Sequence, residues 1–482
     1  MSDYIKELCD NVVSPKIPFM FTSNSNKPSH VANNLFRRCL GKKTKMNNLH
    51  QWFNVENKKK NIVSSTELLN KYNSSFAPNT TEADIKFFRS MLNEIFNQDN
   101  TMYPSEVFSC VTSTSEFTVK NSVAAEQGIG DFIYEILHTK IDGKESIAIK
   151  LISDALKDKN NAFSSIIMPL CDNLEQEQIV EMEDDNKQLN RFEMTIRSAF
   201  DCLSDNLIKQ KMHKNSILLL QRMVSLTDFC ALFYFININN IDKESEITPM
   251  LFDIGSNLNS IVRSSHETYI IAKKNIEDFF TKTIYEELKN SLNNTDNACR
   301  ERIASMPIDD DENQTKRNAL ERLYNNKLSN NDDYLMNLAK ALQEVIYTYE
   351  FKNCTPGEFL STCLGVRNGV IGPKGGNAIR RFYPGKFIIE NILLSSLNYN
   401  ELKDGIEYTA FGDILREKYN IIVGINNDVE CGVLENWNVL KNTPGDLRGD
   451  LHKNSQLFAN VLITLGYGKK YADGVTMIGC DL

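Results

Sequence analysis

The chain has eleven cysteines but no CxxC pair, and no histidine stands at ligand spacing from two of them, which excludes the usual structural zinc sites. The cysteines (9, 39, 110, 171, 202, 230, 299, 354, 363, 431 and 480) are odd in number and scattered. Several lie in helix-like apolar stretches, as Cys202 and Cys230 do, so they read as small core residues in a reducing cytosol. Long apolar runs are missing too. The nearest, 216–238 "SILLLQRMVSLTDFCALFYFINI", is interrupted by Arg222 and Asp228 and reads as a buried helix, so no membrane partner is expected. The N-terminus, "MSDYIKELCDNVV", is acidic early and lacks the apolar segment of a secretory signal, so a cytoplasmic location is expected. No repeat of fixed period occurs, which argues against a solenoid. With a net charge of −9 the chain does not coat nucleic acid along its whole length, although local basic surfaces remain open to it.

Phosphate-binding loops are absent as well. The stretch 369–387, "GVIGPKGGNAIRRFYPGKF", looks like one at first. A Walker loop needs G-x-x-x-x-G-K-[ST], whose amides cradle phosphate while Lys and the hydroxyl reach it and its Mg²⁺. Here Gly372 to Gly376 has the wrong spacing, and Asn377-Ala378 follows. The dinucleotide fingerprint G-x-G-x-x-G is also missing. "VIGPKGGNAIRRF" is similar to the KH clamp, with Gly372-Pro373-Lys374-Gly375 as GXXG, but Ala378 falls where that pattern wants a larger apolar residue and the chain breaks at Pro384. The remaining reading is a basic loop leading into a helix.

What is present is a chain of 482 residues with 41% hydrophobic content, enough for a sizeable core and for two or three domains. Residues 1–80 read as an irregular basic arm. Residues 81–350 read as helical, with an acidic linker near 172–189. In 190–208, Phe192, Ile196, Ala199, Phe200, Leu203 and Leu207 step at three and four, the spacing of a buried stripe. Helices are also expected over 216–238, 258–291 and 333–350, whereas 290–332 is Asn- and Asp-rich, with "IDDDENQT" as its exposed tip. Over 351–482 the texture turns to Gly, Pro and short β-like runs. A helix at 387–397, the strand "GIEYT", the helix "AFGDILREKY" capped by Thr409, the strand-like "NIIVG", the helix "SQLFANVLITLG" and the hairpin "YGKKYADGVTMIG" follow. Helix, short strand, helix, helix, hairpin is the order of a winged helix, which the long insert 424–452 interrupts. The fold class expected is mainly α, multi-domain, with a C-terminal α/β winged-helix-like module.

Two basic surfaces are candidates for binding nucleic acid or an acidic partner. Arg367, Lys374, Arg380, Arg381 and Lys386 occur with no acid between 367 and 386, and Lys469 and Lys470 occupy the expected wing. Arg37, Arg38, Lys42, Lys43, Lys45 and Lys58 to Lys60 face the single acid Glu56, with Trp52 and Phe53 among them. Those aromatics suit base stacking, or else they pin the arm to the protein's own core.

No catalytic set emerges. Asp253, Ser264, Ser265 and His266 suggest a hydrolytic group, but the last three are adjacent on one helix and point apart, with no G-x-S-x-G elbow. The acidic runs "IDDDEN" and "EMEDD" lack the Gly and Glu positions of a calcium loop. No cofactor and no metal site is expected.

The last third, from "LGVRNGVIGP" through "RRFYPGKFIIENILL" and "FGDILREKYNIIVG" to "YADGVTMI", resembles the C-terminal regions of non-catalytic accessory subunits in bacterial DNA-modification-linked anti-phage defence, such as the accessory subunit of phosphorothioation-dependent restriction. The likeness covers about a quarter of the chain and rests on texture without an invariant motif. Asp473, Gly474 and Val475 stand where that family has its end-strand. The resemblance implies a subunit of a DNA-acting complex whose partners are an ATPase or translocase and double-stranded DNA. Two alternatives stay open: a metal-dependent nuclease or hydrolase assembled from the helical region, and a scaffold that binds protein alone.

Overall fold

A computed structural model gives the fold and describes residues 3–19, 28–44, 49–52, 63–96, 114–119, 128–171, 176–178, 188–243, 246–308, 310–328, 333–352, 354–373, 379–439, 446–472 and 474–479. The chain starts with α1 (Tyr4–Leu8), capped by Asp3, and α2 (Pro28–Leu40), followed by β1 (Lys42–Thr44). The arm expected to be irregular therefore holds a core helix. Val31, Ala32, Leu35 and Phe36 of α2 are fully buried, and sequence reading missed them because Asn33, Asn34, Arg37 and Arg38 break up the apolar stripe. Next come α3 (Ser65–Lys71) and α4 (Glu82–Phe96). They enclose Trp52, which is fully buried against Tyr72, Phe76 and Phe88 in a small separate core. Of the two readings of that aromatic, the one that pins the arm to the body is the one observed.

α5 (Ile129–His138) lies against α2 at close range. A Cβ on Gly130 would stand 2.4 Å from the Leu35 nitrogen, so only glycine fits there. Asn34 fixes the register: its Oδ1 accepts the Asp131 N–H at 2.6 Å and its Nδ2 donates to Asp131 Oδ2 at 2.8 Å. α6 (Ile147–Leu156) and α7 (Ala162–Ile167) follow, then β2 (Gln176–Gln178), which pairs antiparallel with β1 inside the stretch expected as an acidic linker. α8 (Arg191–Lys209) starts on a capping box of Asn190 and Glu193 and buries the stripe read from its spacing.

α9 (Ser216–Ile236) is apolar on all sides and is the central helix of the core. It is the one described helix long and apolar enough to cross a membrane, and 83% of its most apolar window is buried inside the protein. After β3 (Met250–Leu251), the long α10 (Asn259–Ser291) packs on α13 (Tyr334–Tyr349), with α11 (Asp296–Ala304) and α12 (Asp311–Lys327) between them in sequence. The region 290–332 is thus largely helical. Its buried apolar residues, Cys299, Ile303, Met306, Leu320 and Tyr324, are too sparse in sequence to mark a stripe. The tip is exposed as expected at Asp310, Asp311 and Glu312, and Asp310 caps α12, accepting the Asn313 N–H at 2.7 Å.

α14 (Pro356–Glu358) runs into a wide-turned helical segment, Phe359–Val366, and then a hairpin of β4 (Ile371–Gly372) and β5 (Arg381–Phe382). A hairpin replaces the helix–loop–helix that a KH clamp requires. α15 (Lys386–Ser396), α16 (Tyr399–Asp404), β6 (Ile406–Glu407), α17 (Tyr408–Tyr419), β7 (Ile421–Ile422), α18 (Asn427–Asn436), α19 (Leu447–Thr464), β8 (Gly468–Lys470) and β9 (Thr476–Ile478) complete the chain. α17 begins at Glu407 without a side-chain cap, so Thr409 lies inside the helix and does not cap it. β7 pairs in parallel with β3, far back in the sequence, and β6, β9 and β8 form a three-stranded antiparallel sheet in that order. The fold is mainly helical, and its strands are two or three residues long. One buried apolar cluster runs from Ile5 to Ile478, so the core crosses both boundaries expected at 80 and 350.

Candidate nucleic-acid interface

α19 is held from within. Asn454, fully buried, donates from Nδ2 to the carbonyls of Phe252 (2.8 Å) and Val423 (3.0 Å) and accepts the Ile254 N–H at 3.0 Å. One side chain thus joins α19 to the ends of both β3 and β7. The ring of Phe458 stacks on Phe411 of α17 at 6.3 Å, and the Tyr408 hydroxyl donates to the Ser455 carbonyl at 2.7 Å. Gly424 lets the helix approach: it has φ +96°, and a Cβ there would lie 2.0 Å from the Leu451 carbonyl oxygen. The turn it belongs to is closed by Glu430, whose buried carboxylate accepts the N–H groups of Val423, Gly424, Ile425 and Asn426. An arrangement of amides that elsewhere holds phosphate is here filled by the chain's own carboxylate.

With its inner face fixed, α19 turns His452, Lys453, Gln456, Leu457 and Asn460 outward, all exposed. No aspartate or glutamate occurs from Leu451 to Ala472, in a chain where acids outnumber lysine and arginine 63 to 54. The β8–β9 hairpin continues this surface. It closes through Tyr471 N–H to the Val475 carbonyl (2.9 Å) and Gly474 N–H to the Tyr471 carbonyl (3.0 Å), with Gly474 at φ +89°. Lys469 and Lys470 are exposed, and the Lys469 ammonium lies 5.3 Å from the centre of the Tyr471 ring. The base of the hairpin is anchored inward. The Tyr467 hydroxyl donates to Glu390 Oε1 (2.9 Å), which also accepts from Arg222 of α9 (2.7 Å), and Arg222 in turn donates to Asn391 Oδ1 (2.9 Å). Burial beside that carboxylate pushes the Tyr467 phenol well above its ordinary range. Lys386 is exposed one turn before Glu390 on α15.

The other residues singled out from sequence fare differently. Arg381 is turned inward, and its Nε donates to Asp253 Oδ2 at 2.7 Å, with Asp253 fully buried. Arg380 is half-buried and bonds to the Ser361 hydroxyl. Arg37 is buried in α2, while Arg38 ion-pairs with Asp131 at 3.5 Å and lies 4.7 Å over the Tyr134 ring. Lys42 and Lys43 lie on β1, opposite Gln178 and Glu177. Lys374 and Asp473 lie outside the described residues. Of the ten basic residues expected to bind, Lys386, Lys469 and Lys470 are described as exposed at the C-terminal end. Sequence reading missed the outward face of α19, although the acid-free run from 451 was there to be read.

The hydrolytic group does not assemble. Ser265 donates to the Phe382 carbonyl (3.1 Å), the His266 Nδ1 meets the Arg380 carbonyl at 2.7 Å, and Asp253 is held by Arg381, so all three fasten the β4–β5 hairpin. Among the described residues no three His, Cys, Asp or Glu side chains converge to hold a metal ion. A groove of about 580 Å³ between α8, α16 and α17 does contain a thiol and an amine. However, the Cys202 thiol donates to the Leu397 carbonyl and is pushed up to about 11 by burial. Lys418, its pKa lowered by burial, donates to the Ser395 and Ser396 carbonyls at the end of α15. Both groups cap a helix. No family model matches the chain, and no curated protein or solved structure is significantly similar to it.

Proposed function

We propose that this protein is a non-enzymatic subunit that binds double-stranded DNA through its C-terminal module, with α17 and α19 as a helix pair, β6–β9–β8 as its sheet and the β8–β9 turn as a wing. The observation that carries this reading is the acid-free run from Leu451 to Ala472, which holds the exposed residues of α19 beyond Asp450 and those of β8, fixed by Asn454 on one side and by the Tyr467–Glu390–Arg222 chain on the other. Apart from β7 and α18, which stand between α17 and α19, the order α16, β6, α17, α19, β8 and β9, with β6 beside β9, supports a winged-helix reading. Lys386, Lys469 and Lys470 would then contact phosphates and supply the sequence-independent part of the affinity. The setting, a bacterial anti-phage assembly with an ATPase or translocase as neighbour, rests on the C-terminal resemblance alone.

A salt series of fluorescence anisotropy on a labelled duplex tests the function. Affinity is expected to fall linearly on logarithmic axes, and K469A/K470A is expected to reduce the slope by about 2, since each phosphate contact contributes roughly 0.9. Salt-independent binding, or a slope unchanged by the double substitution, contradicts the proposal. A scaffold reading is favoured if no duplex binds at all, because Leu457, Tyr471 and Val475 are exposed enough to dock a protein surface.

A further inference from the structure

Resting on that reading, we infer that α19 reads DNA sequence through His452, Gln456 and Asn460, with the Gln456 and Asn460 amides pairing adenine edges in the major groove. The three residues recur at four-residue steps on the exposed side of the helix, opposite the buried Leu451, Asn454, Ser455, Phe458 and Leu462. From 452 to 460 the helix rises about 12 Å, which matches the span of roughly four stacked base pairs and the width of the major groove. The side-chain chemistry suits that place. A carboxamide offers one donor and one acceptor side by side, the complement of adenine N7 and N6, whereas lysines alone would give affinity without discrimination.

The first two residues are already ordered with respect to each other. Gln456 Nε2 lies 3.0 Å from His452 Nε2, and since an amide nitrogen cannot accept, it is the donor. The histidine proton then sits on Nδ1, and the pair presents the imidazole N–H, the amide oxygen and the second amide N–H to a ligand. Asn460 makes no side-chain hydrogen bond among the described residues, so its amide is also available. Charge agrees with this assignment. The nearest acid on the helix, Asp450, is turned to the Ser260 hydroxyl and to Lys453, and the acid-free run covers the whole proposed reading face. The helix is also rigidly presented, because Asn454, between 452 and 456, is the residue that ties it to β3 and β7.

Selection from a random-sequence duplex library with the full-length protein, followed by sequencing, tests the inference alongside Q456A/N460A and K469A/K470A. The wild type is expected to enrich a short motif containing adenine. Q456A/N460A is expected to lose that enrichment, tenfold or more per contact, while its affinity for bulk duplex and its salt slope are retained. K469A/K470A is expected to keep the motif and lose affinity evenly. The substituted residues are exposed, and circular dichroism checks that each variant is folded. Binding without enrichment, or enrichment that survives Q456A/N460A, overturns the reading role while leaving duplex binding in place. Absence of any duplex binding removes the functional proposal and this inference with it.

Discussion

Two basic stretches of similar composition meet opposite fates. Near the N-terminus, Arg37 and Arg38 lie on a helix whose other face is core, and the charges go to Asp131 and the Tyr134 ring or into the interior. Near the C-terminus, Lys469 and Lys470 stand on a two-stranded hairpin with solvent on both sides of the tip. The same contrast recurs within a few residues of β5, where Arg381 pairs with a buried aspartate while Lys386 is exposed. Arginine tolerates burial because its planar, weakly hydrated guanidinium forms fixed forked bonds, whereas the compact ammonium of lysine holds its water. A count of positive charges in a stretch therefore says little about which surface is basic. The residue type and the element that carries it say more.

Substitutions can break this contrast or sharpen it. Arg381→Ala is expected to have the largest effect on stability, about 3–5 kcal/mol, because it leaves the fully buried Asp253 carboxylate without its cation. A urea midpoint measurement checks this, and a loss under 1 kcal/mol would show that the ion pair is not a support of the β4–β5 hairpin. Arg38→Ala should cost less, about 0.5–1.5 kcal/mol, since both members of its pair reach solvent and the aromatic contact is lost with it. A thermal melt of the variant resolves that difference from Arg381→Ala. K469A/K470A is expected to change stability by under about 0.5 kcal/mol while weakening duplex binding, which separates a working surface from a structural one. A drop in stability as large as that of Arg381→Ala would place the two lysines in the supporting framework.

Much of the helical framework is legible in the amino-acid sequence. The stripe of α8 and the all-round apolar character of α9 are periodic signals strong enough to read directly, and both helices start and end within about two residues of the expected positions. α2 and α12 are not legible, for a common reason. In both, the buried apolar residues are interrupted by polar ones that find partners inside, as Asn34 of α2 and Lys316 of α12 do, and in α12 the apolar ones are also few. The strands β1 to β5 are hidden for a different reason. Strands of two or three residues carry no alternation to detect, and β3 pairs with a segment far away in sequence, whereas β6, β7 and the β8–β9 hairpin fall in "GIEYT", "NIIVG" and "YGKKYADGVTMIG". Of the candidate interface, the wing lysines are visible as a turn between short strands. The outward face of α19 is not, because which side of a helix is free depends on Asn454, a polar residue whose burial no hydropathy pattern signals.

Duplex DNA is proposed to engage the C-terminal module and not the N-terminal basic stretch. Hydrogen–deuterium exchange of the full chain, with and without a saturating duplex, measures this directly. Added protection is expected over α19 and the β8–β9 hairpin, with α2 and β1 unchanged. Protection confined to α2 and β1, or no change anywhere at a concentration where the duplex is bound, would contradict it.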